Sequence, residues 1–354
     1  MLLKSKYCRI RAVADWNDDA PYLGAENSET NLNRAGFIAT PAAEDVVANK
    51  NTIFYFDGTN LLSYGSGNYL VSNDDKQLFY NGVQESGSKI SFTVASNGVK
   101  GAYNIKFNDG KRTLYVNQNN YTDAANNANE ENGYCFNLEV VKSLPVTISS
   151  AGYASFYAPV ALKIPTDVDV EAYYIGAVNA KDGYVTMNKI EGVIPANTGV
   201  ILKGAEGTYN FGVVSNTTAI NGENLLTGTV AATEVEDDAY VLGIGEDGVG
   251  LYRTKKYEET LEEYEEAKKE NEDAKKPYFI NGSHKAYLPS SAIPAGASLS
   301  AGFTFDFSGT TGIDEVKSEV DNTAIEGIFD LMGRRVENPT RGIYIVNGKR
   351  VFIK

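Results

Sequence analysis

Three pairs of residues ending in leucine recur along the first 142 residues, and their spacing limits what this chain can become. Tyr22-Leu23, Tyr69-Leu70 and Thr113-Leu114 place the leucines 47 and 44 residues apart. A strand-like run precedes each pair: Tyr7-Cys8-Arg9-Ile10, Leu61-Leu62-Ser63-Tyr64, and Tyr103-Asn104-Ile105-Lys106-Phe107. Another follows it: Ile53-Phe54-Tyr55-Phe56, Ile90-Ser91-Phe92-Thr93-Val94, and Tyr134-Cys135-Phe136-Asn137-Leu138. A unit of this length, made of hairpins, cannot bury its own apolar face. Three such units must share one core, so residues 1–142 are expected to close into a threefold β barrel. The first and last strands of that barrel carry Cys8 and Cys135. In an exported protein they could be bridged; as free thiols they would act as small buried hydrophobes.

This repeat is similar to the β-trefoil of ricin-type modules. The Gln-x-Trp signature of that family is replaced here by Ala14-Asp15-Trp16, and Trp16 is the sole tryptophan. The resemblance implies a binding module, with carbohydrate or glycoprotein as its partner. The segment best suited to such a ligand is Asn117-Gln118-Asn119-Asn120-Tyr121. The amides of Asn117, Asn119 and Asn120 can hydrogen-bond hydroxyls, and Tyr121 offers a face for stacking. The same run also reads as a polar loop with Asn in turn positions.

Residues 144–308 read as a second all-β module, a sandwich of short strands separated by Gly, Pro and Asn. Two segments rhyme as Ile-Pro-Ala turns leading into strands, at Ile194 and at Ile293. Gly152-Tyr153-Ala154 and the run from Ile194 to Gly199 resemble a sandwich module of surface proteins exported by type IX secretion. Between Lys255 and Lys276 the β pattern breaks. Nine acids and six bases surround a narrow stripe of Tyr257, Leu261 and Tyr264. That spacing predicts a solvated helix inserted between strands.

Residues 309–323 read as a linker, and residues 324–354 as a small β unit. Asn347-Gly348 between two apolar runs is a hairpin signal. The tail resembles the C-terminal sorting domain of type IX secretion cargo, through Asp330, Gly333, Arg334 and Arg335 in one half and Gly342, Tyr344, Asn347, Gly348 and Lys349 in the other. The resemblance implies export to the outside, or to the outer-membrane surface, of a gram-negative bacterium, with the secretion machinery as partner. The start of the chain has no apolar stretch of signal-peptide length. The chain is therefore expected to be a piece of a longer precursor, which could carry a catalytic domain upstream.

The chemistry of catalysis is sparse. The chain has one histidine, His284, and two cysteines. A histidine-activated nucleophile could use only His284 as base. Its setting, Asn281-Gly282-Ser283-His284-Lys285, reads as an exposed turn. Three His and Cys residues far apart make no metal spacing. The run Ser72-Asn73-Asp74-Asp75-Lys76 lacks the alternating acids of a calcium loop and reads as a turn. No glycine pattern suits a nucleotide, and no cofactor is expected. A net charge of −14 argues against nucleic acid as partner. No run of about 18 apolar residues exists to span a membrane as a helix. The expectation is a non-catalytic binding module. A structural spacer with an anchoring tail is the other reading, and an enzyme built on carboxylates alone is the third.

Overall fold

The computed structural model describes residues 3–13, 22–28, 31–38, 49–72, 78–80, 88–95, 101–107, 112–116, 122–125, 134–215, 219–235, 237–254, 261–270, 279–294, 302–308, 328–329, 336, 342–346 and 349–353. Two compact units result, residues 1–310 and residues 311–354.

The first unit begins with twelve strands: β1 (Lys6–Ala12), β2 (Tyr22–Ser28), β3 (Asn31–Ile38), β4 (Phe54–Phe56), β5 (Leu61–Ser63), β6 (Leu70–Ser72), β7 (Leu78–Tyr80), β8 (Ile90–Val94), β9 (Tyr103–Phe107), β10 (Arg112–Val116), β11 (Thr122–Ala125) and β12 (Phe136–Val140). Six of them run β5-β4-β1-β12-β9-β8 as an antiparallel ladder. Two hydrogen bonds span the open seam between the segments of β5 and β8, Ile90 N to Thr59 O at 2.7 Å and Asn60 Nδ2 to Ser88 O at 3.1 Å. The other six strands pair as three hairpins, β2–β3, β6–β7 and β10–β11. Six barrel strands and three capping hairpins make a trefoil-like arrangement.

The repeated leucines explain why it closes. Leu23, Leu70 and Leu114 are all fully buried, in one cluster with Ile10, Phe54, Phe56, Ile105 and Phe136. Each hairpin contributes one leucine to a core that no repeat could fill alone. Burying each such side chain is worth about 1.5–3 kcal/mol.

The chain passes from β12 into β13 (Ser143–Ile148) without a long linker, and fourteen more strands follow: β14 (Tyr153–Phe156), β15 (Ala161–Lys163), β16 (Val170–Asn179), β17 (Tyr184–Ile190), β18 (Val193–Ile194), β19 (Val200–Gly204), β20 (Gly207–Val214), β21 (Thr227–Thr229), β22 (Thr233–Val235), β23 (Ala239–Gly245), β24 (Gly248–Arg253), β25 (Phe279–Asn281), β26 (Lys285–Pro289) and β27 (Gly302–Asp306). They form a four-stranded sheet, β13-β20-β15-β18, and a nine-stranded one, β14-β19-β16-β17-β27-β24-β23-β26-β21, with β22 and β25 as a separate pair. The smaller sheet faces part of the larger one across a core of Leu144, Val146, Leu162, Phe211, Ala172, Tyr174, Val200 and Leu202. This much resembles the expected sandwich. The larger sheet, however, rolls around a second core. Alternation along β16 sends Ala172 and Tyr174 to the first core and Tyr173 and Ile175 to the second, with Leu251, Leu288 and Phe303. Its ends approach each other, since Tyr157 N donates to His284 O at 3.1 Å beyond β14. The nine strands are thus nearly a barrel.

The first core also crosses the boundary between modules. Tyr7, Ile53, Tyr55 and Leu62 of the trefoil-like part belong to the same cluster as Leu144 and Val146. Tyr64 adds a hydrogen bond from its hydroxyl to Pro145 O at 2.8 Å.

In the charged segment a ten-residue helix is described, α1 (Leu261–Glu270). A helix over all of 255–276 is not shown. In the second unit, β28 (Ile328–Phe329), β29 (Gly342–Val346) and β30 (Lys349–Ile353) pair in that order. Val346 lies opposite Lys349 across the hairpin. No described helix is long and apolar enough to cross a membrane.

Candidate functional site

The third hairpin of the trefoil-like module carries the ligand-suited segment. Residues Asn117, Asn119, Asn120 and Tyr121 lie outside the described residues. The strands on either side are described and fix the frame, because β10 and β11 pair with Val116 opposite Thr122. On β10, Leu114 and Val116 are buried while Tyr115 is partly exposed. Alternation therefore turns the ring of Tyr115 away from the barrel core. There it meets Tyr134, ring centroids 4.6 Å apart and planes tilted by 46°. Asn104 Nδ2 donates to Tyr134 O at 3.0 Å and steadies the segment that leads into β12. A partly exposed tyrosine pair thus stands at the root of the amide-rich hairpin.

Neither Tyr115 nor Tyr134 was singled out by motif reasoning. The signal was present in Thr113-Leu114-Tyr115-Val116, where an aromatic occupies an outward position between two buried aliphatics. The partner, Tyr134, comes from a distant part of the sequence, and only the β9–β12 pairing brings it close.

His284 is not the exposed turn residue that its neighbours suggested. It is buried, 5% exposed, at the seam between the two modules. Its backbone is left-handed, with φ 55°, which is uncommon for a residue with a side chain. Nε2 lies 2.6 Å from the Tyr7 hydroxyl, and Nδ1 lies 2.7 Å from Ser283 Oγ. Ser283 Oγ in turn donates to Val230 O at 2.7 Å. With the serine hydrogen committed to that carbonyl, Nδ1–H must donate to Ser283, and Nε2 accepts from Tyr7. The rings of Tyr64 and Tyr7 lie 4.7 and 5.8 Å from the imidazole. Burial, with Lys285 nearby, lowers the His284 pKa to about 3. Burial also pushes the Tyr7 hydroxyl well above its usual value. Both groups stay neutral, and both imidazole nitrogens are engaged. This arrangement holds two modules together and leaves the imidazole no access to a substrate.

The cysteines require a second correction. Their strands are neighbours, as the repeat implied, but their register keeps them apart. Cys8 lies opposite Val140, whereas Cys135 meets Val13 at the other end of the ladder, with Val13 N donating to Cys135 O at 3.0 Å. Five residues at about 3.3 Å each separate them along the strand, beyond the roughly 4.4–6.8 Å a disulfide spans. Both are buried and neither is in a disulfide. Burial raises the Cys8 pKa to about 12, so it does not ionise at neutral pH.

Among the described residues, no group of three or more His, Cys, Asp or Glu is placed to hold a metal ion. Ser72 ends β6, and residues 73–77 lie outside the described residues. In the tail, Gly342 and Tyr344 fall on β29 and Lys349 on β30. Asp330, Gly333, Arg334, Arg335, Asn347 and Gly348 lie outside the described residues.

No family model matches the chain, and no curated protein matches it. Among solved structures it is similar to the GlcNAcα1-4Gal-releasing endo-β-galactosidase from Clostridium perfringens, at 16% identity and a TM-score of 0.29 over 39% of this chain. The chain spans about a third of that enzyme's length, 33%. It is also similar to ThreeFoil, a designed protein of threefold symmetry, at 14% identity and a TM-score of 0.26, covering 38% of this chain and 99% of that one. The trefoil-like reading here rests on the strand pairings.

Proposed function

We propose that the chain is a non-catalytic module that binds carbohydrate, free or on a glycoprotein, and that its tail serves export to the surface of a gram-negative bacterium. The observation that carries the binding reading is the partly exposed Tyr115–Tyr134 pair at the base of the Asn117–Tyr121 segment. Sugars present an apolar ring face edged by hydroxyls. Tyrosine rings suit the face, and amides, which both donate and accept, suit the hydroxyls. The burial of His284, the one histidine available as a base, supports the non-catalytic part. The test is a glycan array probed with the wild-type protein and with Tyr115→Ala and Asn119→Ala. The wild type should retain hydroxyl-rich glycans, and each variant should lose at least tenfold in affinity while melting as the wild type does. Retention that both variants preserve would remove the hairpin from the site.

A second reading, a spacer that holds another domain away from the cell, is favoured by the seam. A buried Tyr7–His284 bond and a shared core make residues 1–310 a stiff element rather than two loosely strung modules. Failure of the folded wild type to retain any glycan would select this reading.

The export role of the tail is tested by removing residues 324–354 and locating the protein in the producing cell. The truncated protein should fold and remain inside. Arrival of the truncated protein at the surface would refute the role.

A further inference from the structure

In the second module a cleft opens beside strands β14, β19 and β16 of the rolled sheet. Across the adjacent strands β14, β19 and β16, Tyr153 lies opposite Lys203, and Lys203 lies opposite Glu171. Directly opposed residues on one face place their Cβ atoms about 4.5–5.5 Å apart. Tyrosine, ammonium and carboxylate thus stand in one row. The row shares its face with Tyr173 and Ile201 of the second core, so it forms the rim of that core rather than a patch on the outside.

A cleft of about 580 Å³ opens there, within the range of about 300–1,000 Å³ usual for small-molecule sites. Tyr209, Asp169, Val168 and Ala205 complete its lining, and Gly152 and Gly204 give it a floor of bare backbone. The floor cannot be built up cheaply. Gly152 has φ +78°, and a Cβ on Gly204 would come within 2.9 Å of Asp169 O.

The polar groups are held in place before any ligand arrives. Glu171 Oε1 pairs with Lys189 Nζ at 2.9 Å, and Oε2 accepts from the Tyr173 hydroxyl at 2.7 Å. These contacts hold its carboxyl below the usual carboxylate range, and each oxygen keeps a further lone pair. The side chain remains 30% exposed. Lys203 Nζ rests 4.6 Å from the centre of the Phe307 ring. Tyr153 is backed by Phe305, centroids 5.5 Å apart, and the Tyr209 hydroxyl is tied to Ala205 O at 3.0 Å. Tyrosine rings, a carboxylate acceptor and an ammonium donor line one open volume.

From this geometry we infer a second sugar site, in which a neutral hexose unit stacks on a tyrosine wall and bonds its hydroxyls to Glu171 and Lys203. The ligand is neutral, because an anion would meet Glu171 and Asp169, and a cation would meet Lys203. The site lies in a different module from the Tyr115–Tyr134 hairpin and does not depend on that reading.

Saturation-transfer NMR on the full chain tests it, with glucose, galactose, mannose, N-acetylglucosamine and lactose as probes. At least one sugar should receive transfer, and Tyr209→Ala and Lys203→Ala should each weaken that binding at least tenfold. Glu171→Gln, which keeps the shape and removes the charge, serves should either of those variants melt early, and should weaken binding likewise. All proteins are compared in a Tyr115→Ala background, so that the hairpin contributes no transfer. Absence of transfer to every sugar would overturn the proposal. So would transfer that survives all three cleft variants in that background; transfer found in the wild type and lost in Tyr115→Ala alone would overturn it too and leave the hairpin reading standing alone.

Discussion

A histidine, a tyrosine and a serine at the seam contribute to stability in a way that can be measured. Replacing Tyr7 with Phe removes the donor to His284 Nε2 and leaves a buried acceptor unpaired, which costs about 1–3 kcal/mol. Urea unfolding of Tyr7→Phe should show a loss of that order. The seam also makes stability depend on pH. His284 titrates near 6.5 when exposed and at about 3 in the folded protein. The unfolded chain therefore binds the proton first as pH falls, and the contribution of His284, complete above about pH 6.5, should drain away towards pH 3. His284→Asn tolerates the left-handed backbone but does not titrate, so its stability should fall less steeply over that window. Equal slopes for both proteins would contradict the buried neutral imidazole. None of this was legible in the turn-like run around His284. The partner, Tyr7, is 277 residues away, and no local pattern announces such a contact.

Among the strands, legibility followed the range of the information. The leucine spacing identified the threefold unit, because a repeat that cannot bury its own face states its need in the sequence. The adjacency of β1 and β12 followed from closure. Their register did not, and register decides whether two cysteines can meet. Both thiols should be modified by iodoacetamide after unfolding without reductant, giving two adducts by mass spectrometry; fewer would reveal a bridge or an oxidised thiol. Tyr115 was legible in the alternation of β10, whereas Tyr134 needed the pairing of β9 with β12. The row Tyr153-Lys203-Glu171 is likewise invisible to motif search, since each member stands on a different strand. The charged segment of 255–276 is a simpler case. On α1, Lys269 pairs with Glu266 at 2.7 Å, both side chains more than two-thirds exposed, and such pairs add little. Replacing 255–276 with a short Gly-Ser loop should shift the melting temperature by no more than a few degrees, and a large drop would place the Tyr257, Leu261 and Tyr264 stripe in a core.

The chain as a whole combines a trefoil-like barrel, a rolled sheet fused to it through a common core, and a separate small β unit at the end. Fusion gives the two surfaces proposed to bind sugar a fixed geometry, which would suit recognition of extended glycans. Because residues 1–310 share apolar clusters and the Tyr7–His284 bond, they should unfold in calorimetry as one cooperative transition, with a second, smaller one only from the tail. Binding without turnover is the central claim. It is tested most directly by incubating the protein with the glycan it retains best on an array, then recovering that glycan for mass spectrometry. Retention with recovery at unchanged mass is the expected result. Shortened products after prolonged incubation with pure protein would contradict it and identify a carboxylate-based enzyme instead.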